Sequence, residues 1–334
     1  MTKLKVLLRV ALSAALLVGL FWMLDGDALL GRISELRPVW VLVALAISLP
    51  QMALLAFRWR LTAARLGLSL PFGAALSEYY LGVFLNQLVP GGVMGDVSRA
   101  WRHGRAAPPP TPGSTPGSAS GSSLGPAVRA VILERASGQI ATVAVAALSF
   151  FALPLAAGIR ARTLLVMLGG LAAIGVAALV VRRLPVAETI WRDVRAALLA
   201  RDVVVVQALT SALVMGSYIA VYLAAARAVG VATPFSVLAP LVAPVLLSML
   251  IPVTIAGWGL REAAAAALWS AVGLTAEDGV AISAAYGLLV LASALPGGIV
   301  LISAGRGRRA GPRPDGSDGS AGGAPRPASP PAEG

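Results

Sequence analysis

Six stretches of this chain run for about 20 residues with almost no Asp, Glu, Lys or Arg, and few folds can absorb that. They are Val6–Leu24, Val39–Phe57, Ala136–Ile159, Thr163–Val181, Val203–Ala226 and Gly279–Ala304, the third with an apolar approach from Val128. Each is long enough for a helix to cross the hydrocarbon core of a bilayer. A soluble fold would have to hide all six behind polar surface. Only 13% of the 334 residues are charged, about half the usual share, so that surface does not exist. The chain is read as an all-α polytopic membrane protein with six spanning helices. Val6–Leu24 follows Lys3 and Lys5 and lacks a small-residue cleavage site after it, so it is read as a retained anchor.

Two further apolar stretches are interrupted. Phe72–Gly95 contains Glu78, Asn86, Gln87 and Pro90, and Ala228–Leu260 contains Pro234, Pro240, Pro244 and Pro252. Broken helices at membrane depth persist only when buried in protein or lining a cavity. Both are expected to be broken or re-entrant hairpins; 235–276 is alternatively two short crossings. A single membrane domain spans 1–305. The Pro/Gly/Ser-rich segments 106–125 and 306–334 cannot bury enough apolar area to offset the entropy of ordering, so they are read as a disordered loop insert and tail.

The charge balance sets the orientation. With 27 Lys+Arg against 15 Asp+Glu the net charge is +12, which in a soluble protein would point to nucleic acid. With the N-terminus placed in the cytoplasm, twenty basic residues fall inside and five outside, while Arg135 and Arg261 lie at membrane depth. That bias follows the positive-inside rule. It puts both termini in the cytoplasm, assigns the basic excess to anionic lipid, and leaves no nucleic-acid partner. The absence of Cys and the single His103 exclude disulfides, thiolate metal sites and multi-His sites; no metal or cofactor is expected.

The interrupted stretches match each other. Ala64-Arg65, Gly67-x-x-x-Pro71-Phe72 and Leu88-Val89-Pro90-x-x-x-x-Gly95-x-x-x-Arg99 recur as Ala226-Arg227, Gly230-x-x-x-Pro234-Phe235 and Leu250-Ile251-Pro252-x-x-x-x-Gly257-x-x-x-Arg261, at an offset of 162 or 163 residues. Together with the charge bias this predicts an inverted-topology repeat, with halves of about 4–157 and 161–304, as in secondary transporters whose paired interrupted segments mark the substrate site.

The chemistry-bearing residues collect in and beside the two hairpins. Pro90, Gly91, Gly92 and Gly95 break the first, and Pro252, Gly257 and Gly259 the second. Freed N–H groups and a helix start after Gly95 would favour an anion. Arg99 and Arg102 could bind the same group, Asp96 could orient Arg99 or carry a proton, and Asn86 and Gln87 suit a polar headgroup. Arg261-Glu262 sit in a long apolar stretch, either as functional charges or as an interfacial Trp258–Arg anchor. Glu134-Arg135, one or two turns inside the third span, can pair with Asp96 or Arg99. Arg58-Trp59-Arg60 is most simply a pair of snorkelling arginines beside an interfacial Trp. Glu78 opens the first hairpin. Asp25-Gly26-Asp27 reads as a turn, or as carboxylates of a glycosyltransferase-like enzyme using a polyprenyl-phosphate-linked donor.

Arg58-Trp59, Tyr80-Leu81-Gly82-x-Phe84-x-Asn86 and Pro90-Gly91-Gly92-x-x-Gly95-Asp96-x-x-Arg99 resemble the transmembrane region of lysylphosphatidylglycerol synthases, a flippase-like family of bacterial and archaeal membrane proteins. Glu134-Arg135 resembles the family's Glu-Arg on the next helix. Pro252-x-x-x-x-Gly257-x-Gly259-x-x-Glu262 resembles its second motif, with Arg261 and Glu262 adjacent here. The likeness runs from about Lys5 to Ala304. It implies a bacterial inner-membrane protein of six to eight helices, related to machinery that moves aminoacylated phospholipid between leaflets. It does not imply the synthase reaction, which needs a soluble aminoacyl-transferase domain. The expected function is a lipid flippase or transporter, with membrane lipids, anionic or carrying a lipid-linked phosphate, as partners. Asn86, Gln87, Asp96, Arg99, Glu134, Arg135, Arg261 and Glu262 line its headgroup path, and Arg58, Arg60 and Glu78 are secondary candidates. The alternatives are the polyprenyl-phosphate enzyme and a non-catalytic accessory subunit binding envelope-synthesis proteins.

Overall fold

The computed structural model describes residues 14–19, 26–89, 92–106, 123–153, 187–250 and 254–309, with a few isolated positions besides. Among these the chain is helical and contains no strand. In order the helices are α1 (Gly26–Ser34), α2 (Pro38–Arg65), α3 (Phe72–Leu88), α4 (Met94–Ala106), α5 (Leu124–Ala152), α6 (Ala187–Val194, continuing into a π turn, Arg195–Leu199), α7 (Arg201–Ala228), α8 (Phe235–Leu247, closed by a 3-10 turn, Ser248–Leu250), α9 (Leu260–Ala271) and α10 (Ala276–Arg309). Four are long and apolar enough to cross a membrane: Pro38–Arg65, Leu124–Ala152, Arg201–Ala228 and Ala276–Ser303. The spans expected at Val6–Leu24 and Thr163–Val181 lie wholly or largely outside the described residues, as do most of the 106–125 insert and the tail beyond 309.

Local rules explain where these helices stop and start. α2 begins with a proline in its first turn, where the missing N–H is not needed. It ends at Gly67, whose φ of 77° is open to glycine at no steric cost. There Gly67 N–H bonds Ala64 O and Leu68 N–H bonds Ala63 O, a Schellman stop. α7 ends the same way: Gly230 (φ 81°) bonds Arg227 O and Val231 bonds Ala226 O. After each stop a proline, Pro71 or Pro234, caps the next helix in an extended conformation. The Gly-x-x-x-Pro-Phe spacing is thus a stop signal followed by a start signal.

α5 begins earlier than its apolar run, so Glu134 lies about three turns inside it, deeper than the one or two turns expected, and it ends at Ala152 rather than near Ile159. α10 likewise continues past 305 to Arg309. The helices pack in corresponding pairs: α2 lies against α7, α3 against α10, α8 against α5, α4 against α5 and α9 against α10. Two apolar cores result. One surrounds Trp59 and Tyr79, with Ala56, Ala63 and Ala130 letting helices approach; the other surrounds Tyr222, Trp269 and Tyr286. Outward faces remain apolar, with Leu42, Ile140, Leu148, Leu209 and Ile299 more than half exposed, as a lipid-facing surface requires.

Candidate functional site: buried ion clusters at two helix breaks

The first break separates α3 from α4. Val89 is extended and Gly92 adopts φ 60°; Pro90 and Gly91 lie outside the described residues. α4 folds back against α3 at Gly82 and Gly95, where a Cβ on Gly95 would stand 1.8 Å from the Gly82 carbonyl oxygen. Asn86 Oδ1 accepts the Gly95 N–H at 2.7 Å, and Asn86 Nδ2 lies 3.4 Å from Asp96 Oδ2. Asp96, in the first turn of α4, complements the helix dipole. At this helix start, where an anion was expected, Asn86 takes the Gly95 N–H and Asp96 supplies a negative charge of the chain's own.

From Asp96 a chain of charge runs inward. Arg99, 2% exposed, donates from Nε to Asp96 Oδ1 at 3.0 Å and from Nη2 to Glu134 Oε2 at 2.7 Å. Its guanidinium lies over Trp59 (4.9 Å to the ring centroid) and Tyr79 (4.6 Å), a geometry strengthened by desolvation. Tyr79 donates its hydroxyl to Glu134 Oε1 at 3.3 Å. Arg58 Nη2 donates to the Glu134 carbonyl (2.9 Å) and Ser137 Oγ (2.6 Å) and lies 3.5 Å from Glu134 Oε1. Arg135 pairs with Asp96. Both pairings open to Glu134-Arg135 are thus made at once. Arg58 and Trp59, 1% and 0% exposed, are not interfacial as expected; they anchor the cluster's centre, while Arg60 is exposed. Glu78 pairs with Arg102 at 2.7 Å, apart from the cluster, and Gln87 makes no side-chain hydrogen bond among the described residues.

Beside this cluster is a cavity of about 80 Å³. Arg58 of α2, Tyr79, the Glu134–Thr142 face of α5 and the Ser211–Tyr218 face of α7 line it, and it is half open. Arg135 lines this opening, which leaves its side chain 42% exposed although protein surrounds it. Next to Trp59, at 5.5 Å and edge-on, is His103, whose Nε2–H donates to the Ser69 carbonyl at 3.2 Å. Burial holds its imidazole below the ordinary value, against that hydrogen bond, so the ring is neutral at pH 7.

The second break lies between α8 and α9. Ala256, Gly257 and Gly259 all have positive φ, at 49°, 82° and 83°; Pro252 lies outside the described residues. Glu262 Oε2 reaches back to accept the Gly259 N–H at 2.6 Å, the carboxylate half of a capping box. Its Oε1 takes Arg261 Nη2 (2.6 Å), Arg261 Nε (3.1 Å) and Ser283 Oγ (3.0 Å), and Arg261 Nε also donates to Ser283 Oγ at 2.9 Å. Arg261 and Glu262 are each 1% exposed, so the interfacial-anchor reading fails. Trp258 and Tyr286 lie 5.2 and 5.3 Å from the guanidinium. α10 comes so close that a Cβ on Gly287 would stand 2.3 Å from Arg261 Nη2.

The six charges expected to line one path form two ion-paired groups. No ion pair among the described residues joins Arg261 or Glu262 to Asp96, Arg99, Glu134 or Arg135. Tyr218 packs against both cores, and the Tyr222 and Tyr286 rings lie 5.1 Å apart beside the second group. Tyr79, Ser137, Tyr218 and Ser283 carry no charge or motif that would have singled them out. Asp27 is exposed in the first turn of α1, Asp25 lies outside the described residues, and no three His, Cys, Asp or Glu side chains among the described residues could share a metal ion.

The sequence profile of the family described as lysylphosphatidylglycerol synthase TM region matches residues 6–298. No curated protein matches the chain.

Proposed function

Because the chain belongs to the lysylphosphatidylglycerol synthase TM-region family, we propose that this membrane protein moves a lipid headgroup across the bilayer rather than transforming it. The observation that carries this reading is the placement of Arg58, Arg99, Glu134, Arg261 and Glu262, none more than 2% exposed, at helix breaks inside a bundle of apolar spans. Buried ions cost several kcal/mol each unless matched, and ionisable groups within a membrane bundle mark substrate or ion paths by default.

The packing supports a transporter plan. α3 lies on α10 and α8 lies on α5, so the helix before the break in each half rests on the other half's last long helix. We read this as an inverted repeat whose halves can rock against each other. The charge bias supports a reading with both ends in the cytoplasm, and the family supports a bacterial cytoplasmic membrane.

Reconstitution into liposomes containing a panel of fluorescent lipids tests the proposal. Wild type is expected to move at least one lipid faster than an Asp96→Ala/Arg261→Ala double variant inserted to the same density. Equal rates for every lipid would sink the transport reading.

A further inference from the structure

We infer that the cavity beside Glu134 and Arg135 is an oxyanion site, and that the group it takes is a phosphate. This rests on the translocation reading and names the part of the headgroup that the protein grips. The first ground is the charge balance: the cluster holds three guanidinium groups, Arg58, Arg99 and Arg135, against two carboxylates, Asp96 and Glu134. Glu78, the nearest other acid on α3, is taken by Arg102. An uncompensated positive charge in a low-dielectric interior attracts an anion strongly.

The second ground is unused hydrogen-bonding capacity. Arg58 Nε and Arg135 Nε, on two residues that line the cavity, donate to no described group; Arg99 adds charge behind them without lining it. Arg58, 1% exposed, and Arg135 form one wall of the cavity. Gln139, Ser211 and Tyr218 face the same space, adding donors that make no side-chain hydrogen bond to the described residues. Donors of fixed charge and neutral donors converging on one space suit a group that offers several acceptor oxygens.

The third ground is size. At about 15 Å³ per water, the half-open 80 Å³ cavity has room for a group of a few heavy atoms. That fits a phosphate, free or at the end of a lipid. The second cluster has no such excess, since Arg261 and Glu262 neutralise each other and Ser283 completes the set.

The test uses the full chain in phosphate-free maltoside micelles, titrated with dihexanoyl-phosphatidylglycerol, with dihexanoylglycerol as the phosphate-free counterpart, and with inorganic phosphate. The phosphatidylglycerol probe is expected to bind at least about tenfold more tightly than dihexanoylglycerol, the usual worth of a charge-assisted hydrogen bond. Arg135→Gln should erase that margin and Arg135→Lys should restore part of it. Asp96 keeps Arg99 in both variants, so the fold has no buried unpaired acid. A Ser211→Ala/Tyr218→Phe variant, which touches no ion pair, should weaken the phosphatidylglycerol probe several-fold. Unfolding midpoints confirm that each variant is folded.

Competition by inorganic phosphate extends the site to the free ion, and its absence confines it to lipid-borne phosphate; both uphold the inference. Equal binding of the two lipids, or an unchanged margin in Arg135→Gln, overturns it. Selective phosphate binding without translocation defeats only the transport reading. Translocation indifferent to the phosphate defeats only this one.

Discussion

Both helix breaks bury an arginine against a glutamate, yet the two are assembled in different ways. At the second break Arg261 and Glu262 are neighbours in the chain, and the same glutamate caps its own helix through Gly259. At the first, Arg99 comes from α4, Glu134 from α5 and Arg58 from α2. A movement of α4 relative to α5 must break the Arg99–Glu134 bond, whereas Arg261 and Glu262 travel together. The first cluster also borders a cavity and carries an excess positive charge. The second is neutral and enclosed by Trp258, Tyr286 and α10. Under the proposed function, the first break is where a ligand and a helix movement would be coupled, and the second is a counterpart whose charges move as a unit.

The largest expected effect comes from Glu134→Leu. It removes the carboxylate that Arg58 and Arg99 share, leaving Arg99 only Asp96 and Arg58 no acid at all, and breaking one buried pair already costs about 3–5 kcal/mol. Thermal unfolding in detergent should show a large loss, or the variant should fail to accumulate. Stability near wild type would mean that Asp96 alone can hold the cluster.

Removing both partners at the second break should cost much less. Arg261→Met/Glu262→Leu deletes the pair as a unit, leaving chiefly the Gly259 N–H unmatched, about 1–3 kcal/mol. Glu262→Leu alone, which leaves Arg261 unpaired, should be the worse of the two. If the double variant is the less stable, the second cluster is not the self-contained unit described above.

Glycine substitutions sharpen the same contrast. Gly287→Ala forces a methyl to within 2.3 Å of Arg261 Nη2 and 2.8 Å of Trp258, and overpacking of this kind costs about 1–3 kcal/mol. Gly138→Ala places its methyl 3.3 Å from Arg58 Nη2 beside the cavity, where there is room to give. It should cost less than Gly287→Ala in the same unfolding assay; the reverse order would mean that the first cluster is the more tightly enclosed.

The smallest effect is a pH dependence confined to the first break. The His103 folded value lies below its ordinary 6.5, so below that pH the unfolded chain binds more protons than the folded one. Stability is then full above about pH 6.5 and declines as the pH falls further. His103→Gln should flatten this part of the unfolding profile between pH 7.5 and 5. An unchanged slope would assign it to another group.

Much of this could be read from residue order. Gly67-x-x-x-Pro71-Phe72 and its counterpart at Gly230 specify a stop and a start through φ alone, and that is a local matter. Gly257 and Gly259 mark a break because few other residues tolerate their conformation. Asp96 and Arg99 are three apart on one helix, so their pairing was accessible. Arg58 and Trp59 were not. At the end of an apolar span, a buried arginine and a snorkelling one have the same sequence signature, and only the position of α5 distinguishes them. The two-cluster division was hidden for the same reason, since spacing along the chain does not state which helices meet.

By itself, then, the sequence determined that this protein is helical, resides in a membrane, interrupts its helices at two related places and belongs to its family. Hydropathy, backbone conformation and motif spacing act over a turn or two, or accumulate along a span. The tertiary structure decided which charges meet, that Glu134 serves two arginines while Glu262 serves one, and that a cavity opens beside the first cluster. Those outcomes depend on how closely separate helices approach, and Gly82 against Gly95 and Gly287 against Arg261 control that approach through a single missing methyl at each contact.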